Sequence, residues 1–342
     1  MKPMHMLVPI ALLGACIASC GPAVAGDFDY RLGEGLHFPD IGLNIGGYAT
    51  GAYERPTGSK SRFALDDLSL SIWWEGSGPW KVLAEFDSER GIALQSSRNE
   101  NDRRYLALER FYLDYALNDR ATLRVGKFLT PIGRWNQIHA SPLVWTTSRP
   151  LVTTNAFPTN TTGLMLTGTV PVSTLGLEYS IYGSTGDEVR ANPALDTFSE
   201  AVGTHVSFSP FANARIGVSY VNFEQAISLN ERKQLVGADF VWSKNRFELT
   251  AEGVYRLSSK GSGKDERGAF VQGVAPLSEK LYAVARYEIY RPAGALVNTQ
   301  LWVGGLNYRA SPAIVLKVEL AGARRNTPGV PTGLLSSVSV LF

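Results

Sequence analysis

The sequence predicts an all-β fold, a 16-stranded antiparallel transmembrane β-barrel with a long third extracellular loop folded into the lumen. Three observations favour this fold. Segments of about nine to thirteen residues alternate apolar and polar side chains from residue 41 to Phe342. The connections between these segments alternate between short and long. One stretch, 131–161, interrupts the alternation completely.

The segment 63–74 shows the alternation most clearly. Leu68, Leu70 and Ile72 fall on one face, whereas Asp67 and Ser69 fall on the other. A period of two residues is the signature of a strand with one apolar and one hydrated face. The predicted strands are 41–53, 63–74, 80–87, 104–117, 121–130, 163–170, 174–182, 201–208, 214–223, 233–242, 247–256, 268–275, 281–290, 300–309, 313–323 and 335–342.

The lengths of the connections indicate a membrane barrel and argue against a soluble sandwich. Short connections, such as 118–120 and 243–245, follow every even-numbered strand, and longer polar ones, such as 89–102 and 184–200, follow every odd-numbered strand. Outer-membrane barrels sort their loops in this way, with the short turns on the periplasmic side. An even strand count then places both ends of the barrel on the short-turn rim.

The stretch 131–161 is the third long connection, and it holds 31 residues with four prolines and two tryptophans. A loop of this length in a compact domain usually has a function. The window 120–177 around it contains no Asp or Glu but includes six basic residues or histidines: Arg120, Arg124, Lys127, Arg134, His139 and Arg149. We therefore expect a loop that narrows the lumen and sets the sign of its charge.

The first residues predict export. A lysine, an apolar run and Ala23-Val24-Ala25 are typical of a signal peptide at 1–25, followed by a short periplasmic lead-in at 26–40 and the barrel at 41–342. Both cysteines, Cys16 and Cys20, would be removed with the leader. The alternative is a lipidated Cys20, since the residues before it also resemble a lipoprotein processing site.

Sixteen strands, a long third loop and the terminal Phe342 together resemble the bacterial general porins. The residues Gly126, Phe128, Thr130, Pro131 and Gly133 are similar to the Gly-x-Phe-x-Thr-Pro-x-Gly motif of the phosphate-selective (O/P-type) porin family. The resemblance implies a homotrimeric, water-filled channel in the cell outer membrane, with Phe342 as the assembly signal. The dense ladder of arginines and lysines of the phosphate-specific members is absent, which weakens the expectation of phosphate selectivity.

Parity along the strands assigns both signs of charge to the lumen, including Arg110, Arg124, Glu252 and Glu288, so the wall as a whole is nearly balanced. The loop adds Arg134, Arg149 and His139 without acids. Charges at the narrowest point dominate the selectivity of a pore. We therefore expect a modest preference for anions, although Arg134 and Arg149 could instead hold loop carbonyls.

Two tryptophans in the loop, Trp135 and Trp145, are expected to pin it against the wall, with a contact surface for sugars as the alternative. Two further charges, Glu109 and Lys127, fall on the outward face of adjacent strands. An unpaired lysine at the bilayer midplane costs about 2 to 4 kcal/mol. We expect the two to pair at an interface with another subunit; a β-bulge that turns one of them inward is the alternative.

Other functions find less support in the sequence. His37, His139 and His205 are the histidines of the mature chain, and none stands in a spacing typical of a hydrolase or a metal site. We predict no enzymatic activity, no cofactor, no metal and no nucleic-acid partner. The expected partners are membrane lipid and lipopolysaccharide, further copies of the chain and small hydrophilic solutes. A barrel-hosted hydrolase and a non-conducting structural barrel are the alternatives.

Overall fold

The computed structural model describes residues 28–89, 93–94, 105–138, 140–172, 175–186, 188–190, 196–228, 231–258, 264–325 and 330–342. Within these ranges, nineteen strands form one antiparallel sheet, and sixteen of them close a barrel. The predicted fold class is therefore confirmed. Among the described residues, no helix is both long and apolar enough to cross a membrane.

The sixteen strands of the barrel are β3 to β5 and β7 to β19, and β1, β2 and β6 are short additions. Two 3-10 turns, Pro39–Ile41 and Trp135–Ile138, and one helix, α1 (Leu151–Asn155), complete the elements. The strands are β1 Asp29–Arg31, β2 Gly35–Phe38, β3 Leu43–Pro56, β4 Arg62–Glu75, β5 Trp80–Glu89, β6 Ala93–Leu94, β7 Tyr105–Asn118, β8 Ala121–Leu129, β9 Asn160–Val172, β10 Leu175–Thr185, β11 Phe198–Phe211, β12 Ala214–Gln225, β13 Lys233–Lys244, β14 Phe247–Ser258, β15 Glu266–Pro276, β16 Leu281–Arg291, β17 Thr299–Arg309, β18 Ile314–Arg324 and β19 Gly333–Leu341.

The barrel closes between the last strand and the first. Register runs from Gly333 opposite Pro56 to Leu341 opposite Tyr48. The terminal Phe342 continues the pairing, because its N–H donates to the Gly47 carbonyl at 2.9 Å and its carbonyl accepts from the Gly47 N–H at 2.8 Å. A Cβ at Gly47 would lie 2.1 Å from the Ser69 carbonyl oxygen, so this close approach requires glycine.

The lead-in, which the sequence left without an assigned structure, forms a hairpin. Strand β2 pairs with the start of β3, with Leu36 opposite Ile45, and β1 pairs with β2. On the short-turn rim, where Phe342 lies, β1 and β2 therefore extend the sheet beyond the last residue of β19.

The two rims differ as the sequence predicted. On one rim, the connections between barrel strands hold two to four residues, and on the other they hold five to thirty. Side chains alternate between the two faces: on β16, for example, Tyr287 and Ile289 are 42% and 39% exposed, whereas Arg286 and Glu288 are 2% and 1% exposed. The exposed face is apolar, as lipid contact requires.

Candidate functional site in the barrel lumen

The connection from β8 to β9, residues 130–159, is called the luminal loop below. Hydrogen bonds join the two ends of this loop. The Thr130 N–H donates to the Thr159 carbonyl at 2.8 Å, and the Thr130 hydroxyl donates to the Pro158 carbonyl at 2.8 Å. The buried Asn136 amide donates to the carbonyls of Thr130 and Thr159 at 2.9 and 3.0 Å. The loop thus leaves the wall and returns to it at one point.

Carboxylates of the barrel wall accept hydrogen bonds from backbone N–H groups of the luminal loop. Glu252 on β14 accepts from Arg134 and Trp135 at 3.0 and 2.6 Å. Glu319 on β18 accepts from residues 147 and 148 at 2.9 and 2.8 Å, and Glu288 on β16 accepts from residue 151 at 2.7 Å. A loop without acids therefore finds its acceptors on inward-facing glutamates of distant strands.

Cations of the same wall bind the loop carbonyls. Arg286 donates to the Ser148 carbonyl at 2.9 Å, to the Ser148 hydroxyl at 2.7 Å and to the Thr146 hydroxyl at 2.6 Å. Lys317 binds the carbonyl oxygens of residues 141 and 146, and Arg256 donates to the carbonyl of residue 156 at 3.1 Å. We call the inner face of β12–β19, which supplies these groups, the anchored wall.

An apolar core lies inside the barrel between the luminal loop and the wall. Its loop members include Ile132, Trp135 and Phe157, which are 1%, 6% and 3% exposed, and its wall members include Phe223 and Leu235, both 0% exposed. A second cluster joins residue 151 of α1 to inward side chains of β16, β17, β18 and β19. Part of the lumen is therefore dry. The sequence predicts charges of both signs in the lumen, but parity alone does not locate the loop and so does not show which of these charges it covers.

The inner face of β3–β8, called the open wall, is arranged differently. Its charges pair with each other across neighbouring strands: the Arg110 Nε donates to Glu85 at 2.5 Å, and Arg124 donates to both oxygens of Asp114 at 2.7 and 2.8 Å. The luminal loop touches this wall through the Ser141 hydroxyl, which donates to Asp67 at 2.5 Å. The arginine side chains of these pairs are 28% and 21% exposed, whereas that of Arg286 on the anchored wall is 0% exposed.

The predicted constriction residues occupy several environments. Arg110 and Arg124 lie in the ion pairs of the open wall, and the Arg124 guanidinium lies 3.6 Å from the centre of the Tyr112 ring. Arg149 lies 4.8 Å from the centre of the Trp135 ring. Arg134 lines a luminal cavity and forms no ion pair with the described residues. His139 lies outside the described residues, so its role stays a prediction.

Both loop tryptophans contact the wall. Trp135 is buried in the apolar core. Trp145 donates its indole N–H to Glu248 at 2.9 Å and lies between Tyr282, with ring centres 4.9 Å apart, and Arg309, whose guanidinium is 4.3 Å from the indole centre. These contacts are of the kind that would pin the loop, and the Arg309 guanidinium lies over the Trp145 ring.

Below the loop, toward the short-turn rim, lies a polar cavity of about 260 Å³. Arg134 and Gln137 face it from the loop. The wall contributes His205, whose Nε2 lies 3.0 Å from a carboxylate oxygen of Asp239. The sequence did not single out this cavity, because the loop residues that close it meet the inner face of β9–β13 only in the folded barrel.

The environment of Glu109 and Lys127 differs from the predicted interface pair. Lys127 forms an ion pair with Glu188, from the connection between β10 and β11, and both side chains are buried, at 3% and 6% exposed. The Val189 N–H donates to the Thr162 hydroxyl at 3.1 Å, which fixes this segment against the outer face. Burial raises the pKa of the Glu188 carboxyl, and the charge of Lys127 opposes that shift.

Glu109 is the extra residue of a β-bulge, since Glu85 pairs with Arg110 and Phe86 pairs with Leu108. A bulge resets the alternation of side chains, which explains why parity misplaced this residue. The chain itself covers Lys127, so its charge no longer calls for a second subunit. A subunit interface at this wall stays a prediction, but the charge of Lys127 no longer supports it.

Neither the described histidines nor the described acids form a recognisable metal centre. No group of three or more His, Cys, Asp or Glu side chains in the described ranges could hold a metal ion. His37 hydrogen-bonds with Asn44 at 2.6 Å, and His205 with Asp239, as given above.

Comparison with solved structures finds a similar fold in proteins of the bacterial outer membrane. Salmonella typhi OmpF in complex with daunomycin aligns with a TM-score of 0.64 at 13% identity, over 88% of this chain and 97% of that one. An anion-selective porin from Comamonas acidovorans aligns with a TM-score of 0.60 at 14% identity, over 87% and 98% of the two chains. The trimer form of OmpT, an outer membrane protein of Vibrio cholerae, gives 0.56 at 8% identity, over 88% and 99%.

Sequence comparison is less informative. No family model matches the chain. An uncharacterized protein of Aquifex aeolicus (strain VF5) is 33% identical over 119 residues, which are 34% of this chain and 27% of that protein. The matched segment thus spans about a quarter of the relative. At the identities of the solved structures, the likeness shows the fold alone.

Proposed function

We propose that this protein is an outer-membrane porin, a passive channel for small hydrophilic solutes with a modest preference for anions. The observation that carries the proposal is the path of the luminal loop. It enters a closed barrel and bonds to the anchored wall through Glu252, Glu288 and Glu319. The open wall it meets through the hydrogen bond from Ser141 to Asp67. A structural barrel has no need of an internal loop that fills one side only.

The preference for anions is supported by the balance of charge. On the anchored wall, Glu288 pairs with Arg286 and Glu266 pairs with Arg256. On the open wall, Arg110 and Arg124 are matched by Glu85 and Asp114. Arg134 is a luminal cation without an ion pair among the described residues. A small net positive field in a narrow pore favours anions, and opposing carboxylates on the open wall keep that preference modest.

The test is electrical recording of the purified protein in a planar bilayer. We expect stable ion conductance without any added ligand, and a reversal potential in a salt gradient that has the sign of anion permeability. Absence of conductance would contradict the channel, whereas a cation-signed potential would contradict only the selectivity. Protein inserted after heat denaturation is the control.

Assembly and location belong to the same proposal. Export by the leader at 1–25, residence in the cell outer membrane, contact with lipopolysaccharide and a homotrimeric state are supported by the barrel fold and, for the trimer, by the trimer form of the similar Vibrio protein. Residues 1–27 lie outside the described ranges. Specific membership of the O/P-type porins rests on the short motif alone.

A further inference from the structure

Two arginines face each other on the outside of the barrel, at the long-loop rim. Arg267 at the start of β15 is the direct cross-strand partner of Arg291 at the end of β16. Both belong to the outward face by parity with Val271 and Ile289, which are 43% and 39% exposed. The next residue in the same row is Tyr255 on β14, opposite Arg267.

Like charges directly opposite on adjacent strands destabilise a sheet. Neither arginine forms an ion pair with any described residue, and the buried Nε of Arg291 has no hydrogen-bond acceptor in the described part of the chain. Of the neighbouring acids, Asp265 accepts from the Tyr255 hydroxyl at 2.9 Å, and Glu266 pairs inward with Arg256. The Asp265 carboxylate balances at most one of the two arginine charges, so the arrangement keeps a net positive charge.

A third cation lies on the same rim, between the two connections that flank the arginine pair. Lys264 precedes β15, and its aliphatic chain lies beside Gly294, in the connection that follows β16, since a Cβ at Gly294 would meet the Lys264 Cδ at 3.2 Å. The guanidinium group is suited to bidentate contact with phosphate oxygens, and two such groups with one ammonium match a multiply charged phosphate.

Below these cations, the same face is apolar. Val271, Tyr287 and Ile289 continue it toward the middle of the barrel, each about 40% exposed. A ligand that fits both parts has an anionic head and acyl chains. A small free anion would use only the upper part, and a protein carboxylate would not need the apolar surface below.

We infer that Arg267, Arg291 and Lys264 form a binding site for the phosphate of a membrane lipid headgroup in the leaflet on the long-loop side. The site rests on the proposed membrane location but not on conductance. The lipid neutralises the arginine pair, while its acyl chains lie along the apolar face of β15 and β16.

The test measures lipid retention by native mass spectrometry of the full-length protein. The probes are bis-phosphorylated lipid A and the same lipid A after removal of its phosphates. We expect the phosphorylated form to bind about tenfold more tightly, and the double variant R267Q/R291Q to lose that difference, since charge-assisted bonds to each arginine are removed. Arg324→Gln is the matched control, because Arg324 faces outward at the same rim opposite Gln300 instead of another arginine.

Unchanged conductance of R267Q/R291Q shows that the variant is folded, so lost retention can be assigned to the site. Equal retention of the two lipids by the natural protein would overturn the inference, as would an equal loss in Arg324→Gln. Displacement of the lipid by millimolar inorganic phosphate would indicate a free-anion site and would also overturn it. Failure of the channel proposal would appear separately, as absent conductance.

Discussion

The anchored wall and the open wall both carry inward-facing acids and bases, but these groups bond to different partners. On the anchored wall, Glu319 and Arg286 bond to the backbone of the luminal loop. On the open wall, Glu85 bonds to Arg110 and Asp114 bonds to Arg124, each on the neighbouring strand. The same residue types therefore serve as structural anchors in one region and as the lining of a solute path in the other.

The difference follows from where the apolar side chains of the loop lie. Phe157 and Trp135 pack against the wall of the later strands, and water is excluded there. In a dry environment every backbone N–H and C=O requires a partner, so wall charges close to the loop become hydrogen-bond partners. Charged side chains of the open wall that remain in contact with water form ion pairs with one another instead.

The largest expected effect is on the anchored wall. Arg286→Met leaves the Glu288 carboxylate buried without its cation and removes the donors to Ser148 and Thr146. Breaking a buried pair costs about 3 to 5 kcal/mol. The midpoint of urea unfolding of the refolded barrel should fall accordingly.

Arg215→Met is the matched control for that variant. Arg215 pairs with Glu178 in the lumen, but the two side chains are 34% and 46% exposed. An exposed pair is worth about 0 to 1 kcal/mol. Equal destabilisation by the two variants would remove the distinction between an anchoring charge and a lining charge.

A smaller loss of stability is expected from Glu319→Gln. The amide keeps one acceptor oxygen and places a donor opposite the other loop N–H, so one hydrogen bond of the pair to Thr147 and Ser148 is lost. Leaving a buried donor unsatisfied costs about 1 to 3 kcal/mol. The loosened loop should also increase the noise of the open-channel current, recorded in the planar bilayer, while Glu178→Gln leaves it unchanged.

On the open wall, substitutions should change selectivity more than stability. Asp114→Asn leaves the charge of Arg124 unbalanced and should move the reversal potential toward anions. Arg124→Gln should move it in the opposite direction. Shifts of the same sign for the two variants would show that this pair does not line the conducting path.

The smallest effect is expected from the cation of the loop itself. Arg134→Gln removes the luminal charge beside the cavity while keeping the backbone bond to Glu252. Anion preference should decrease without a change in the unfolding midpoint. A lower midpoint would instead assign Arg134 a structural role.

The fold could be predicted from the sequence because the alternation of apolar and polar residues within each strand shows which side chains share a face. Parity placed Glu252 and Glu288 inside the barrel, where the structure has them buried. It could not tell which of them meet the loop, since a contact between residues 148 and 286 depends on barrel closure and on the course of the loop. The absence of acids from 120–177 predicts selectivity for anions. In the structure it also has a structural meaning, because the wall supplies the hydrogen-bond acceptors for the loop.

The wrong prediction for the orientation of Glu109 has a different cause, the β-bulge at this residue. One extra residue shifts every later side chain to the opposite face, and no local residue type marks the position. The charge on an apolar face was the available signal. The sequence could not show that Glu188 pairs with Lys127 and covers it, because Glu188 lies in the connection between β10 and β11.

The central claim, that the luminal loop lies inside the barrel while the remaining path conducts, is tested most directly by tethering the loop. The hydroxyl oxygens of Thr147 in the loop and Ser337 on β19 lie 3.0 Å apart. In the variant T147C/S337C, whose two natural cysteines lie in the predicted leader, a disulfide should form under oxidising conditions. Single-channel conductance should then be the same before and after reduction. Free thiols under oxidising conditions, or a bond whose formation changes the conductance, would contradict the account.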